Sequence, residues 1–183
     1  MGKPELKVVE SKNQKFDIGV QDKELLKSIS KLSKKDQKNT GPLHKEKRAL
    51  EAGKLLTSLI FQEALCSFGQ DLKHEQQLSE ILADMFTHLF TSESLICRSL
   101  QTLSEEETSK MAITITKIDV AESLLDIELN TTKCLHKIFP KSIPIAISES
   151  VNKLLLEMIL NTDTITLKQS LGEYMFRQKN YPF

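Results

Sequence analysis

Apolar residues recur at intervals of three and four along most of the chain that follows residue 42. Between Leu43 and Leu103 this spacing produces two amphipathic patterns, and a single glycine, Gly69, separates them. The patterns predict one helix from about Leu43 to Phe68 and a second from about Leu72 to Leu103. Because only about five residues connect these helices, we expect them to lie antiparallel at the centre of the fold.

The spacing also assigns side chains to the core. The face of the first helix consists of Ala52, Leu55, Leu56, Leu59 and Ile60, widened by Phe61, Leu65 and Phe68. The face of the second consists of Leu78, Ile81, Leu82, Met85, Leu89 and Ile96. Across the whole chain, the residues expected in the core include Leu56, Leu59, Ile81, Met85, Ile118 and Leu155.

A third helix is predicted from Ser104 to Phe139. Ser104 followed by Glu107 has the form of a capping box, which stabilises the start of a helix. The apolar set is broad enough for burial on more than one side and comprises Met111, Ile115, Ile118, Val120, Ala121, Leu124, Leu125 and Ile127. Residues 113–120 also alternate like a strand, but a lone strand would have no partner for its edge, so we favour the helix.

Two shorter helices complete the predicted fold, an all-α, up-and-down bundle of four to five helices. Pro140 and Pro144 end the third helix because proline lacks an amide hydrogen and disfavours helix before it. The fourth helix is expected from about Ile145 to Leu160 and the fifth from about Ile165 to Gln178, with a capping-rich turn between them. Their expected inward side chains are Ile147, Val151, Leu154, Leu155, Met158 and Ile159, then Ile165, Leu171, Tyr174 and Met175.

Residues 1–42 differ from the bundle domain expected at 43–183. They are polar, and they contain one short basic amphipathic pattern from Asp22 to Lys38, with Leu25, Leu26, Ile29 and Leu32 on one face. This pattern is typical of a solvated helix or a linker that packs loosely on the bundle. The alternative is a weak, salt-sensitive contact with a membrane surface.

Charge argues against a nucleic-acid partner, and cysteine content indicates a reducing compartment. Basic and acidic residues number 25 each, so no overall field favours nucleic acid. Residues 1–48 nevertheless hold 13 basic and 7 acidic residues, which leaves 12 basic and 18 acidic in the remainder. Cys66, Cys97 and Cys134 form no close pair, which favours reduced thiols that fill a core in a cytoplasmic or matrix-like compartment. Lys3 and neighbouring polar residues interrupt any secretory apolar run, so we expect no cleaved leader.

No arrangement of catalytic residues is recognisable. Asp71 and His74 have a ligand-like spacing, but helical metal sites need several inward carboxylates, so we favour a surface role for His74. Asp84 and His88 are four apart and can hydrogen-bond along one helix face. Cys66 has no flanking nucleophile signature, so a core thiol is the favoured interpretation.

Three features together resemble the C-terminal accessory helical domain of long-chain and very-long-chain acyl-CoA dehydrogenases of the bacterial type. The first is residues 53–100, where a Phe-Gly turn, a Glu-Gln pair, an internal acidic residue and a closing arginine follow one another. These are Phe68 and Gly69, Glu75 and Gln76, Glu93, and Arg98. The second is the length and position of the third helix, and the third is the ending, where Tyr181 and Phe183 occupy the family's Tyr-x-Phe positions.

The resemblance implies a packing and dimerisation module of a flavin-dependent acyl-CoA dehydrogenase. Its expected partners are the dehydrogenase body or a second copy of this chain, with no nucleic acid. Family enzymes bind FAD and acyl-CoA and hold their catalytic base in a preceding body that these residues do not match. We therefore expect no bound cofactor, no metal and no catalysis by this chain alone, whether it is a fragment, a split subunit or a free-standing relative. The alternative function is an independent helical adaptor or a membrane-surface protein without an enzymatic link.

Overall fold

The computed structural model describes residues 41–102 and 106–178, and all regular structure in these ranges is helical. Helix α1 spans His44–Phe68 and is followed by a 3-10 helix, Gly69–His74. Helix α2 spans Gln76–Gln101, α3 spans Glu106–Ile138, α4 spans Ile145–Met158 and α5 spans Thr164–Gln178. The predicted all-α bundle is confirmed, and residues 113–120 are helical rather than extended.

The helix boundaries follow local chemistry. Gly69 ends α1 with a φ of 53°, a left-handed conformation that glycine adopts without a Cβ penalty, and its amide donates to the Leu65 carbonyl. The turn after it is tighter than predicted, since residues 69–74 form a 3-10 helix and α2 begins four residues later than Leu72. Pro144 lies at the N-cap of α4, where a missing amide hydrogen costs little.

Pairs of contacting side chains define how the helices run. Lys54 contacts Glu93 and Phe61 contacts Phe86, so residue numbers rise along α1 as they fall along α2. These helices are antiparallel, as predicted. Ser99 contacts Thr116, and the earlier residue Ser92 contacts the later residue Asp119, so α2 and α3 are antiparallel as well.

The centre of the bundle is the pair α1 and α3, not α1 and α2 as predicted. Helix α1 packs against α2, α3 and α4, whereas α3 packs against α1, α2 and α5. Leu56, Ile60, Met85, Ile127 and Leu154 are fully buried between these helices. Of the six residues predicted in the core, Leu56, Leu59, Met85 and Ile118 are buried, while Ile81 and Leu155 are only partly buried at its margin.

Several residues expected to point inward are exposed instead. Neighbouring helices cover only the middle of each broad apolar face, so the side chains along the margins of the face remain in contact with solvent. The exposed residues that were predicted to be buried are Phe61, Leu65, Leu125, Ile159 and Ile165. The predictions for residues 1–40, which include the basic pattern from Asp22 to Lys38, concern residues that lie outside the described ones. The predicted cap at Ser104 also lies outside them.

Candidate functional site

The connection between α1 and α2 is anchored to the far end of α3 through Lys137. The Lys137 ammonium lies 2.8 Å from a carboxylate oxygen of Glu75, and 5.8 Å from the centroid of the Phe68 ring. Phe68 is the last residue of α1, and Glu75 occupies the N-cap position of α2. Together with the left-handed Gly69, these residues form a corner, here called the Lys137 corner, where α1, α2 and α3 meet.

Glu93 forms a salt bridge between α1 and α2. Its Oε1 lies 2.6 Å from Lys54 Nζ, which also contacts Glu51 at 2.8 Å. Burial lowers the pKa of Lys54, but the hydrogen bonds to Glu51 and Glu93 and their charges outweigh it, so the pKa is raised. The Glu93 carboxylate is therefore engaged in holding α1 to α2.

The other positions that carry the family resemblance do not lie near Glu93 and Lys54. Glu75 and Glu93 are 18 positions apart on α2, a separation of about 27 Å at 1.5 Å per helical residue. Gln76 and Arg98 are exposed near opposite ends of the same helix. Tyr181 and Phe183 lie outside the described residues. The structure thus distributes these positions along the architecture instead of gathering them into one reaction centre.

A patch of exposed apolar side chains lies along the seam of α1 and α2. The Phe61 and Phe86 rings meet edge to face, with centroids 5.8 Å apart and planes at 81°. Leu65 and Phe90 follow them at i+4 on their respective helices, and Phe90 is 74% exposed. We call Phe61, Leu65, Phe86 and Phe90 the aromatic ridge. Sequence reasoning missed the ridge, although the i, i+4 pair Phe86 and Phe90, offset from the buried row of α2, could have indicated it.

The polar contacts between α2 and α3 are structural. Ser99 Oγ lies 2.6 Å from Thr116 Oγ1 and 3.1 Å from the Ala112 carbonyl oxygen, and both hydroxyl-bearing residues are buried. Ser92 Oγ donates to Asp119 Oδ2 at 2.9 Å. These bonds satisfy polar groups in the interface and set the register of the two helices.

The histidine and cysteine predictions have mixed outcomes. His74 is exposed at the end of the 3-10 helix, as favoured. His88 Nε2 lies 3.8 Å from Asp126 Oδ2 of α3, so its carboxylate neighbour is across the helix interface and not Asp84. Cys66 and Cys97 are exposed, so the prediction that they fill a core is wrong for both. Cys134 alone is buried, and burial raises the pKa of its thiol to about 11.

An open groove of about 780 Å³ lies where the start of α1 meets the end of α4 and the start of α5. Its walls include Leu156 and Ile159 from the end of α4, and His44 and Lys45 from the first turn of α1. Glu157, in the same wall, pairs with Arg48 across the helices. The groove is therefore lined mainly by polar side chains and by charges of both signs, with a few apolar residues from α4 and α5 among them.

Neither a metal-binding cluster nor a membrane-spanning helix is found among residues 41–102 and 106–178. No group of three histidine, cysteine, aspartate or glutamate side chains in these ranges is arranged to hold a metal ion. No helix within the same ranges combines the length and apolar character needed to cross a membrane.

Comparison with known proteins connects this architecture to one family. Residues 53–140 match the family model described as "Acyl-CoA dehydrogenase, C-terminal domain". The crystal structure of an acyl-CoA dehydrogenase complexed with FAD from Bacillus anthracis superimposes with a TM-score of 0.71 and 19% sequence identity. The superposition covers 87% of this chain but only 28% of the enzyme, so the chain spans much less than the length of that protein. At this identity the superposition shows the fold alone. No curated protein matches the chain by sequence.

The resemblance inferred from the sequence is confirmed by these two matches. The matched range contains the Lys137 corner, the salt bridge of Glu93 and the whole aromatic ridge.

Proposed function

We propose that this chain is a non-catalytic packing and dimerisation module of a flavin-dependent acyl-CoA dehydrogenase that acts in fatty-acid β-oxidation. The observation that carries the proposal is the aromatic ridge, since it lies within the residues that match the C-terminal domain of this family. Exposed aromatic side chains in a contiguous patch are typical of a surface that a protein partner covers. The proposed partner is the dehydrogenase body or a second copy of this chain.

The salt bridge of Glu93 supports a non-catalytic role. A base that removes a proton next to a thioester needs a positioned carboxylate with a usefully raised pKa. Glu93, the internal acidic residue of the resemblance, is about half exposed and bonded to Lys54. That carboxylate is engaged in the salt bridge that joins α1 to α2. We accordingly propose that FAD binding and proton abstraction belong to the enzyme body and not to this chain.

The ridge can be tested with one substitution and a matched control. Phe90→Ser removes the most exposed ring of the ridge, whereas Phe176→Ser removes an even more exposed ring on α5, at 87% exposure. Each tagged protein is used to capture partners from native extract, and the captured fraction is assayed for flavin absorbance and acyl-CoA-dependent dye reduction. We expect wild type and Phe176→Ser to retain a flavoprotein with this activity, and Phe90→Ser to lose most of it.

Self-association is measured in parallel by sedimentation velocity. If the partner is a second copy, wild type and Phe176→Ser sediment as dimers and Phe90→Ser as a monomer. A stable wild-type monomer that captures no flavoprotein would reject the module and favour the independent helical adaptor.

The non-catalytic part of the proposal has a separate test. Purified chain is mixed with FAD, an acyl-CoA and an electron-acceptor dye, and we expect no dye reduction and no retained flavin. Dye reduction that Glu93→Gln abolishes would show that this chain is itself an enzyme.

A further inference from the structure

We propose that the groove between the start of α1, the end of α4 and the start of α5 binds a small zwitterion, an organic acid that also carries an amine. The Glu46 carboxylate would hold the amine, and the ammonium groups of Lys45 and Lys117 would hold the acid. Of the residues that line the groove, only Lys117 lies within residues 53–140, which match the family model. This binding site is therefore independent of the packing module proposed above.

Glu46 is a buried carboxylate without a partner among the described residues. It lies in the first turn of α1, is 6% exposed and lines the groove. No hydrogen bond or ion pair joins its side chain to another residue of 41–102 or 106–178. Its oxygens are nevertheless not sealed from solvent, unlike the unpartnered hydroxyls of Thr57 and Thr131. The carboxylate thus opens onto the groove, where a cation that reaches it would offset the cost of its burial.

Two ammonium groups of the groove are also uncommitted. Lys45, next to Glu46 in the chain, is exposed, and Lys117 of α3 is partly buried. Within the part of the chain that the structure describes, neither side chain has an ion pair or a hydrogen bond. A lysine ammonium binds a carboxylate or a phosphate as a compact point charge. These two lysines therefore supply the positive side of the site.

The remaining carboxylates and the guanidinium of the groove are engaged with the protein itself. Glu157 pairs with Arg48 across the helices. Asp163 accepts hydrogen bonds from the amide and the hydroxyl of Thr166 at the start of α5. What is left for a ligand is one carboxylate and two ammonium groups. A molecule with the opposite arrangement carries an amine and an acid.

The size and the apolar part of the groove fit a small molecule. Its volume of about 780 Å³ lies within the range of small-molecule sites. Leu156, Ile159, Leu160 and Leu167 add a short apolar stretch to a wall that is otherwise polar. A chain of a few methylene groups between the acid and the amine would bury apolar surface against this stretch.

Nuclear magnetic resonance titration of the full chain tests the site. The probes are γ-aminobutyrate and ε-aminocaproate, with caproate and hexylamine as controls that each lack one of the two charges. We expect at least one of the two zwitterions to bind severalfold more tightly than either control, because only a zwitterion engages both signs of charge. The amide signals of residues 44–46 and 162–167 should shift, while those of the aromatic ridge should not.

Matched variants identify the groups that bind. Glu46→Gln keeps the shape of the side chain and removes its charge, so we expect it to abolish the preference for the zwitterion over caproate. Glu128→Gln, at an exposed position of α3 outside the groove, should leave this preference unchanged. Lys117→Gln should weaken binding of the zwitterion severalfold, whereas Lys153→Gln, exposed on α4 outside the groove, should not. Melting temperatures close to that of wild type show that the variants are folded.

Three results with the wild-type chain would overturn the inference, and none of them depends on a variant that folds. Equal affinity for caproate and the zwitterions would show a simple anion contact that does not use Glu46. Signal shifts confined to other parts of the surface would place the binding elsewhere. No signal shift with any probe at its highest soluble concentration would reject the site.

Discussion

Gly53 of α1 faces Leu124 of α3 so closely that a Cβ at position 53 would lie 3.0 Å from a Leu124 methyl carbon. A methyl group of Leu89 from α2 would lie 3.3 Å away from the same atom. The absence of a side chain at Gly53 therefore allows the three longest helices to meet. Gly53 is thus a packing constraint at the centre of the bundle that a single substitution can probe.

Replacing Gly53 by alanine is expected to increase the free energy of unfolding by less than helix propensity alone predicts. In an open helix position glycine to alanine gains about 0.5 to 1 kcal/mol. Gly172→Ala in α5 is the matched control, since a Cβ there meets nothing within 4 Å. We expect Gly172→Ala to gain this amount and Gly53→Ala to be neutral or destabilising by up to about 1 kcal/mol, because crowding offsets propensity. Urea denaturation measures both, and equal gains would contradict the close approach.

Neighbouring leucines of α3 test which face of this helix is covered. Leu124 is 4% exposed and Leu125 is 63% exposed, although the sequence placed both in the apolar set. We expect Leu124→Ala to cost about 2 to 5 kcal/mol in the free energy of unfolding. Leu125→Ala should change it by less than about 0.5 kcal/mol. Similar losses for the two variants would mean that another surface covers Leu125 in solution.

Thiol reactivity should separate Cys134 from the other two cysteines. At pH 8 the exposed Cys66 and Cys97 are expected to react with an aromatic disulfide reagent in the native protein, while Cys134 reacts only after unfolding. Two thiols titrated in buffer and three in denaturant would agree with the structure. Three reactive thiols in buffer would show that Cys134 is accessible.

The same thiol predicts how stability depends on alkaline pH. Its pKa is about 11 in the fold against 9.0 for an unperturbed thiol, so the folded state binds the proton more tightly. Stability is therefore expected to fall as the pH rises from about 9 towards 11. Cys134→Ala should lack this part of the slope, and unfolding midpoints measured across that range in both proteins provide the comparison.

Asp163 is expected to stabilise the start of α5 in its charged form. Its Oδ1 accepts from the Thr166 amide at 3.0 Å and its Oδ2 from the Thr166 hydroxyl at 2.7 Å, and these bonds lower its pKa. The stabilisation is fully present above the usual pKa near 3.8 and is lost as the pH falls through the lower folded value. Asp163→Ala should thus melt below wild type at pH 7, with a difference that shrinks in acid. Thr166→Ala keeps the amide that donates to Asp163, so its melting temperature at pH 7 should lie between those of Asp163→Ala and wild type. A difference between Asp163→Ala and wild type that stays constant at all pH values would reject the charged cap.

The sequence by itself determined the helices and their order. Periodicity, the break at Gly69 and the prolines at 140 and 144 are local properties, because a helix end depends on backbone preferences of a few adjacent residues. A strand at residues 113–120 was rejected because a lone strand would have no partner for its edge. The order and spacing of Phe68, Gly69, Glu75 and Gln76 likewise indicated a resemblance to the family whose C-terminal-domain model matches residues 53–140.

Tertiary structure alone decided which part of each apolar face is buried. A hydrophobic pattern gives the direction of a face but not the width that neighbouring helices cover, and so Phe61 and Leu65 were placed in the core although they form a surface ridge. Helix α3 lies at the centre of the bundle because it packs against α1, α2 and α5. The pattern of one segment cannot predict how many helices will surround it. For the same reason Cys134 is buried and Cys66 is exposed, and His88 lies near Asp126 of another helix rather than Asp84 of its own. Such contacts join residues far apart in the chain, and their partners are fixed only when the helices pack.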